Sequence, residues 1–116
     1  MRRQTCLGLM LPLTALAAPY SPTMDGNRFI EMMSHPSPSG QAYLDREKAY
    51  SYLDGLRDGA EGRVWCDVSQ LKTPDLAYEM ASKLAQLPAT ERKKNASQLL
   101  LEQLGRTYPC RNGGKR

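Results

Sequence analysis

Two cysteines far apart in the chain, Cys66 and Cys110, constrain its fold more than any other feature, and the N-terminus decides what they do. The sequence opens with Arg2 and Arg3, runs through an apolar stretch from Leu7 to Leu16, and reaches the small-residue pattern Ala15-Leu16-Ala17. That is the layout of a cleavable secretory signal over residues 1–17. Cleavage after Ala18 would leave Pro19 first, a poor fit for a peptidase that needs an extended, accessible bond, so the cut is expected after Ala17. A membrane anchor needs about 20 apolar residues, and this stretch is about half that length with Pro12 inside it. The third cysteine, Cys6, leaves with the signal, and no cysteine follows the cut to carry a lipid. Two thiols then remain in an oxidising compartment, where they are expected to pair. The Cys66 to Cys110 bridge closes a loop of about forty residues, for which the chain-entropy model gives roughly 4 kcal/mol.

About 99 of the 116 residues remain after cleavage, enough for one domain with a modest core. Arg2 and Arg3 are lost, so 14 of the 16 basic residues stand against 12 acidic ones, too even a balance for a nucleic-acid footprint. Residues 18–40 read as a flexible N-terminus holding a short, marginal helix from Asp25, with Phe29, Ile30, Met32 and Met33, and then the breaker-rich linker Ser34 to Gly40. From Gln41 to about Glu61, Tyr43, Leu44, Tyr50, Leu53, Leu56 and Ala60 recur at helical spacing among charged residues, which predicts a central amphipathic helix stopped by Gly62. Asp54 and Arg57 are spaced for a weak ion pair on its solvated flank. Gly55 and Gly59 share one face, where a missing Cβ suits close approach of another backbone, so helix packing or dimer contact is expected there.

Thr73-Pro74-Asp75 predicts the start of the next helix, with Thr73 as cap and Leu76, Ala77, Met80, Leu84 and Leu87 as its apolar stripe. A polar loop, Pro88 to Lys94, leads to a last helix capped at Asn95 or Ser97, with Ala96, Leu99, Leu100, Gln103, Leu104 and Tyr108 on its buried side. Pro109 ends it, and residues 111–116 read as a disordered basic tail. No run of β-branched residues calls for a strand. The expected fold is all-α, a compact bundle of about four helices, the first of them the marginal one from Asp25 and the rest in a helical domain over residues 41–110, closed by one disulfide.

No catalytic constellation accompanies it. His35, the single histidine, stands in a proline-rich loop without metal-ligand spacing and reads as solvated. No phosphate-cradling glycine loop is present, and no cofactor or metal site is expected. Asn95-Ala96-Ser97 fits a glycosylation sequon but sits where a helix should start, and Trp65 beside Cys66 reads as a core ring packed on the bridge.

Three blocks resemble the helical immunity proteins of bacterial type VI secretion systems, the Rap/Tai type. They are Tyr52-Leu53-x-Gly55-x-x-Asp58-Gly59 on the central helix, Cys66 a few residues later, and a leucine-rich last helix ending Tyr108-Pro109-Cys110. Leu84 to Pro88, followed by Ala96 and Leu99, is similar to the family's third and fourth helices, and the likeness spans Gln41 to Arg111. Many members carry one more cysteine near the start of the central helix, where Ala49 and Ser51 stand here.

The resemblance implies a periplasmic, non-enzymatic inhibitor, acting as a dimer, that occludes the cleft of a peptidoglycan amidase effector and protects its producer. A protruding segment would fill that cleft. The first candidate is the inter-helix loop with Thr90, Glu91, Arg92, Lys93 and Lys94, and the second is the stretch Asp67 to Lys72. Two alternatives stand beside it: an orphan binding module, and a periplasmic acid-stress chaperone using Asp54, Asp58 and Glu61 at a dimer seam.

Overall fold

The computed structural model describes residue 8, residues 19–35 and residues 40–111. The signal segment 1–17 apart from Gly8, most of the Pro/Ser linker and all of the basic tail beyond Arg111 therefore lie outside the described residues. Five helices make the fold, and no strand occurs among the described residues: α1 Gly26–Ser34, α2 Gly40–Ala60, α3 Thr73–Ala85, α4 Ala89–Arg92 and α5 Ala96–Thr107. The fifth is α4, a single turn inside the stretch read as a loop.

α1 is not the marginal helix that the sequence suggests. The Asp25 carboxylate accepts from the Arg28 N–H at 2.8 Å and caps it. Phe29 and Met32 are completely buried, and the helix packs on α2, α3, α4 and α5. Nine residues would be too few to hold a helix in isolation, so α1 exists because its apolar face completes the core. Its entrance is tied to α5 through the backbone. Gly26 N–H donates to the Lys94 carbonyl at 3.1 Å and Ala96 N–H donates to the Met24 carbonyl at 2.9 Å, which makes a short antiparallel bridge between Asp25 and Asn95.

α2 spans 21 residues, about 30 Å. It buries a narrow stripe, Asp45, Ala49, Leu53 and Ala60, with Tyr50, Tyr52 and Leu56 packed alongside. Tyr43 and Leu44, expected inside, are exposed. Asp45 takes the core position because polar partners surround it: Arg28 Nη2, from the first turn of α1, lies 3.9 Å and His35 Nε2, at the α1 C-cap, 3.6 Å from the carboxylate, and Gln41 Nε2 donates to it at 2.8 Å. His35 thus lies against Asp45 rather than standing as a free loop side chain, and its carbonyl accepts from Arg46. Gly62, at φ +81°, ends the helix in the left-handed region as expected.

Thr73 is the first residue of α3 rather than its cap. Lys72 holds the cap position without a side-chain bond, and the Thr73 hydroxyl is engaged with Asp54 and Arg57. Leu76, Ala77, Met80, Ala81 and Leu84 bury the inner face of α3. Asn95 caps α5, its Oδ1 accepting from the Ser97 N–H at 3.0 Å, so the sequon stands at the start of a helix as expected. Ala96, Leu99, Leu100 and Leu104 fill the core, while Gln103 and Tyr108 are half-buried. Cys66 and Cys110 are bonded with their Cα atoms 4.9 Å apart.

The glycines divide into two kinds. A Cβ on Gly26 would sit 2.7 Å from both the Arg92 carbonyl oxygen and Leu99 Cδ1, whereas one on Gly55 or Gly59 would meet nothing within 4 Å. Packing inside the chain therefore accounts for Gly26 and not for the pair on α2. Gly26→Ala should cost about 1–3 kcal/mol, while Gly55→Ala should raise stability by up to about 1 kcal/mol through helix propensity, both read from urea unfolding. Removing the bridge with the Cys66→Ser/Cys110→Ser pair should lower stability by roughly 2–4 kcal/mol, and an unchanged melting temperature would show that the bridge contributes nothing.

Candidate partner-binding loops

Cys66 emerges from a hub at the end of α2 built on Arg57. The guanidinium donates to the Thr73 hydroxyl at 2.9 Å, to Asp67 Oδ2 at 3.0 Å and to the Leu71 carbonyl at 2.7 Å. It also lies 5.5 Å from the centre of the Trp65 ring, and the Arg57 carbonyl accepts from the Trp65 indole N–H at 3.1 Å. The expected pair with Asp54 does not form, because Asp67 and the Leu71 carbonyl offer the fork a better-matched set of acceptors. Trp65 is buried and meets Tyr108 edge to face, ring centres 6.3 Å apart. Cys66 N–H donates to the Tyr108 carbonyl at 2.9 Å, so α5 is joined to this hub by a backbone bond and a disulfide. The Tyr108 hydroxyl donates to Glu79 on α3 at 2.8 Å. Burial, reinforced by the Glu79 carboxylate, pushes the Tyr108 phenol up to about 12.

The loop Asp67 to Lys72 leaves this hub already fixed. Asp67 Oδ1 accepts from the Ser69 N–H at 3.3 Å and the Leu71 N–H at 3.2 Å, a local turn that Asp favours because its short side chain reaches its own backbone. Asp67 N–H donates to Glu61 at 3.4 Å, and Leu71 packs against the core. Between these anchors Val68, Ser69 and Gln70 are exposed, Val68 to 78% of its surface. Gln70 has φ +52°, left-handed backbone that side chains other than glycine rarely adopt. Burial pushes the Asp67 carboxyl up, but the Leu71 and Ser69 N–H groups and the Arg57 guanidinium outweigh it and hold it below the usual range.

The first candidate segment is built differently. Thr90, Lys93 and Lys94 are exposed, Glu91 and Arg92 half-buried. Lys94 Nζ pairs with Glu91 at 2.7 Å, which raises the Lys94 ammonium group. The Lys94 carbonyl is held by Gly26, so the backbone here is a strut between α1 and α5. The two candidate segments are also well separated. Asp67 to Lys72 lead into the start of α3, and residues 89–94 follow its end, so the 13 residues of α3 place them about 20 Å apart. No group of three or more His, Cys, Asp or Glu side chains arranged to hold a metal ion occurs among the described residues, and no described helix is long and apolar enough to cross a membrane.

The α2 glycines face outward with Leu44, Lys48 and Ser51 on one open stripe, and Tyr78 on α3 is likewise half exposed. Sequence reasoning did not foresee the Arg57 hub. The Asp67-x-Ser69 spacing is a turn signal that would have marked the start of the locked loop.

A family model described as Rap1a immunity proteins matches residues 25–110. No curated protein matches the chain. The matched span runs from the α1 cap to the second cysteine of the bridge, the whole of the bonded helical unit.

A lowered Asp67 carboxyl contributes stability that is present above the unfolded value, about 3.9, and is lost as pH falls through the folded one. Thermal unfolding followed from about pH 6 down to about pH 2 should therefore show an acid limb below about pH 4 that is shallower in Asp67→Asn. Equal limbs would mean that the carboxylate is not held as described.

Proposed function

The chain belongs to the Rap1a immunity protein family, and from that premise we propose that it is a periplasmic immunity protein against a type VI secretion peptidoglycan amidase. The observation that carries this reading is the family match over residues 25–110. In this reading the protein performs no chemistry of its own. It seats an exposed segment in the amidase cleft and keeps substrate out, so that the producing cell survives an enzyme delivered by a neighbour.

Several features support the periplasm as its place of action. The Arg2 to Ala17 segment has the composition of an export signal, and a disulfide such as Cys66 to Cys110 persists in an oxidising compartment. The open stripe around Gly55 and Gly59 suits contact with the same helix of a second copy, because nothing among the described residues covers it and two backbones could approach closely there. Either the 90–94 segment or the 67–72 loop would enter the cleft, and about 20 Å of α3 prevents both ends of one copy from filling one narrow cleft.

Co-expression tests the reading. Cells directing a type VI peptidoglycan amidase of the producing strain to the periplasm should lyse, and the exported immunity protein should rescue them. Continued lysis with folded, oxidised protein present would sink it.

A further inference from the structure

Resting on the amidase reading above, we infer that the segment entering the cleft is the Asp67 to Lys72 loop, with Val68 as its apolar anchor. Val68 is 78% exposed and is held at the tip of a loop whose two ends are fixed. An apolar β-branched side chain on a mobile loop would tend to fold back onto the core, as Leu71 does three residues later. Here the Asp67 turn and the Arg57 fork hold the backbone so that it cannot.

The second observation is Gln70. A side chain other than glycine at φ +52° persists only where its surroundings over-determine it, and such positions cluster at ligand clamps. In this loop the surroundings are Leu71, whose N–H is held by Asp67 and whose carbonyl by Arg57. Leu71 thereby packs against the core, while Val68, Ser69 and Gln70 themselves all face solvent. What it does is present three consecutive side chains in one fixed arrangement. Tight inhibitors of enzyme clefts work in this way: an already ordered loop loses little conformational freedom when it docks, and one or two central anchors then dominate the affinity.

The 90–94 segment lacks both properties. Its exposed side chains are long and flexible, Lys94 is paired with Glu91 inside the same turn, and its exposed part carries no large apolar side chain. It suits a solvated strut better than an anchor. The cleft that accepts the 67–72 loop should accordingly be apolar at its base, to receive Val68, and tolerant of positive charge at its rim, where Lys72 stands.

The test uses the full mature, oxidised chain and the peptidoglycan amidase that it protects against in the co-expression assay, with hydrolysis of purified sacculi as the readout. Val68→Asp and, separately, Gln70→Arg should each weaken inhibition by about 30-fold while leaving the melting temperature within a few degrees, since both side chains lie in solvent. Lys93→Glu/Lys94→Glu should weaken it far less. If the wild-type chain inhibits and both tip variants inhibit equally well, the loop assignment is overturned while the amidase reading stands. Strong loss in the Lys93→Glu/Lys94→Glu pair alone would move the anchor to the opposite end of α3. If the wild-type chain itself fails to inhibit, the amidase reading falls and takes this inference with it.

Discussion

The guanidinium of Arg57 is the point on which the rest of the structure hangs. One side chain near the end of α2 binds the first residue of α3, both ends of the 67–72 loop and the face of Trp65. Its own carbonyl then receives the Trp65 indole, so side chain and backbone of a single residue hold the ring from two directions. Trp65 fixes Cys66 by adjacency, and Cys66 fixes the end of α5 through the disulfide and the bond to Tyr108. Lysine could not substitute for the arginine, because a single ammonium cannot present a planar fork to a carboxylate, a hydroxyl and a carbonyl at once.

A disulfide placed beside such a hub has a different role from one that merely shortens the unfolded chain. The helix ends that it joins are already positioned by Arg57, Trp65 and Tyr108, so the bridge closes a geometry that packing has selected. The Tyr108 to Glu79 hydrogen bond extends the same set of contacts onto α3. The result is a bundle whose lower end is stiff, and stiffness there is what allows an exposed loop to keep one shape.

Much of this was legible in the sequence where the signals are local. The start of α3 at Thr73-Pro74-Asp75, the cap of α5 at Asn95, the stop at Gly62 and the Cys66 to Cys110 pairing all follow from residues within a turn of one another or from counting thiols. What could not be read depends on groups brought from elsewhere. Asp45 is buried only because Arg28 and His35 reach it from α1, and that displaced Tyr43 and Leu44 from the face that periodicity assigned to them. Arg57 turned from Asp54, three residues away, to Asp67, ten away, because a loop carbonyl and a hydroxyl completed its set. α1 was underrated for the same reason: its value lies in Phe29 and Met32 filling a space that the other helices define. Nothing about Gln70 in the sequence marks it as left-handed.

The short backbone bridge between Asp25 and Asn95 carries a consequence for how the protein comes into being. A chain emerges N-terminus first, whether from a ribosome or across a membrane. Here the first helix has its entrance hydrogen-bonded to residues at the start of the last one, and the sulfur partner of residue 66 waits at residue 110. Until nearly the entire length has arrived, α1 has no floor to lie on and the core has no closing wall. Such a topology keeps the early segments pliable and postpones cooperative collapse until nearly all of the chain is available to pack.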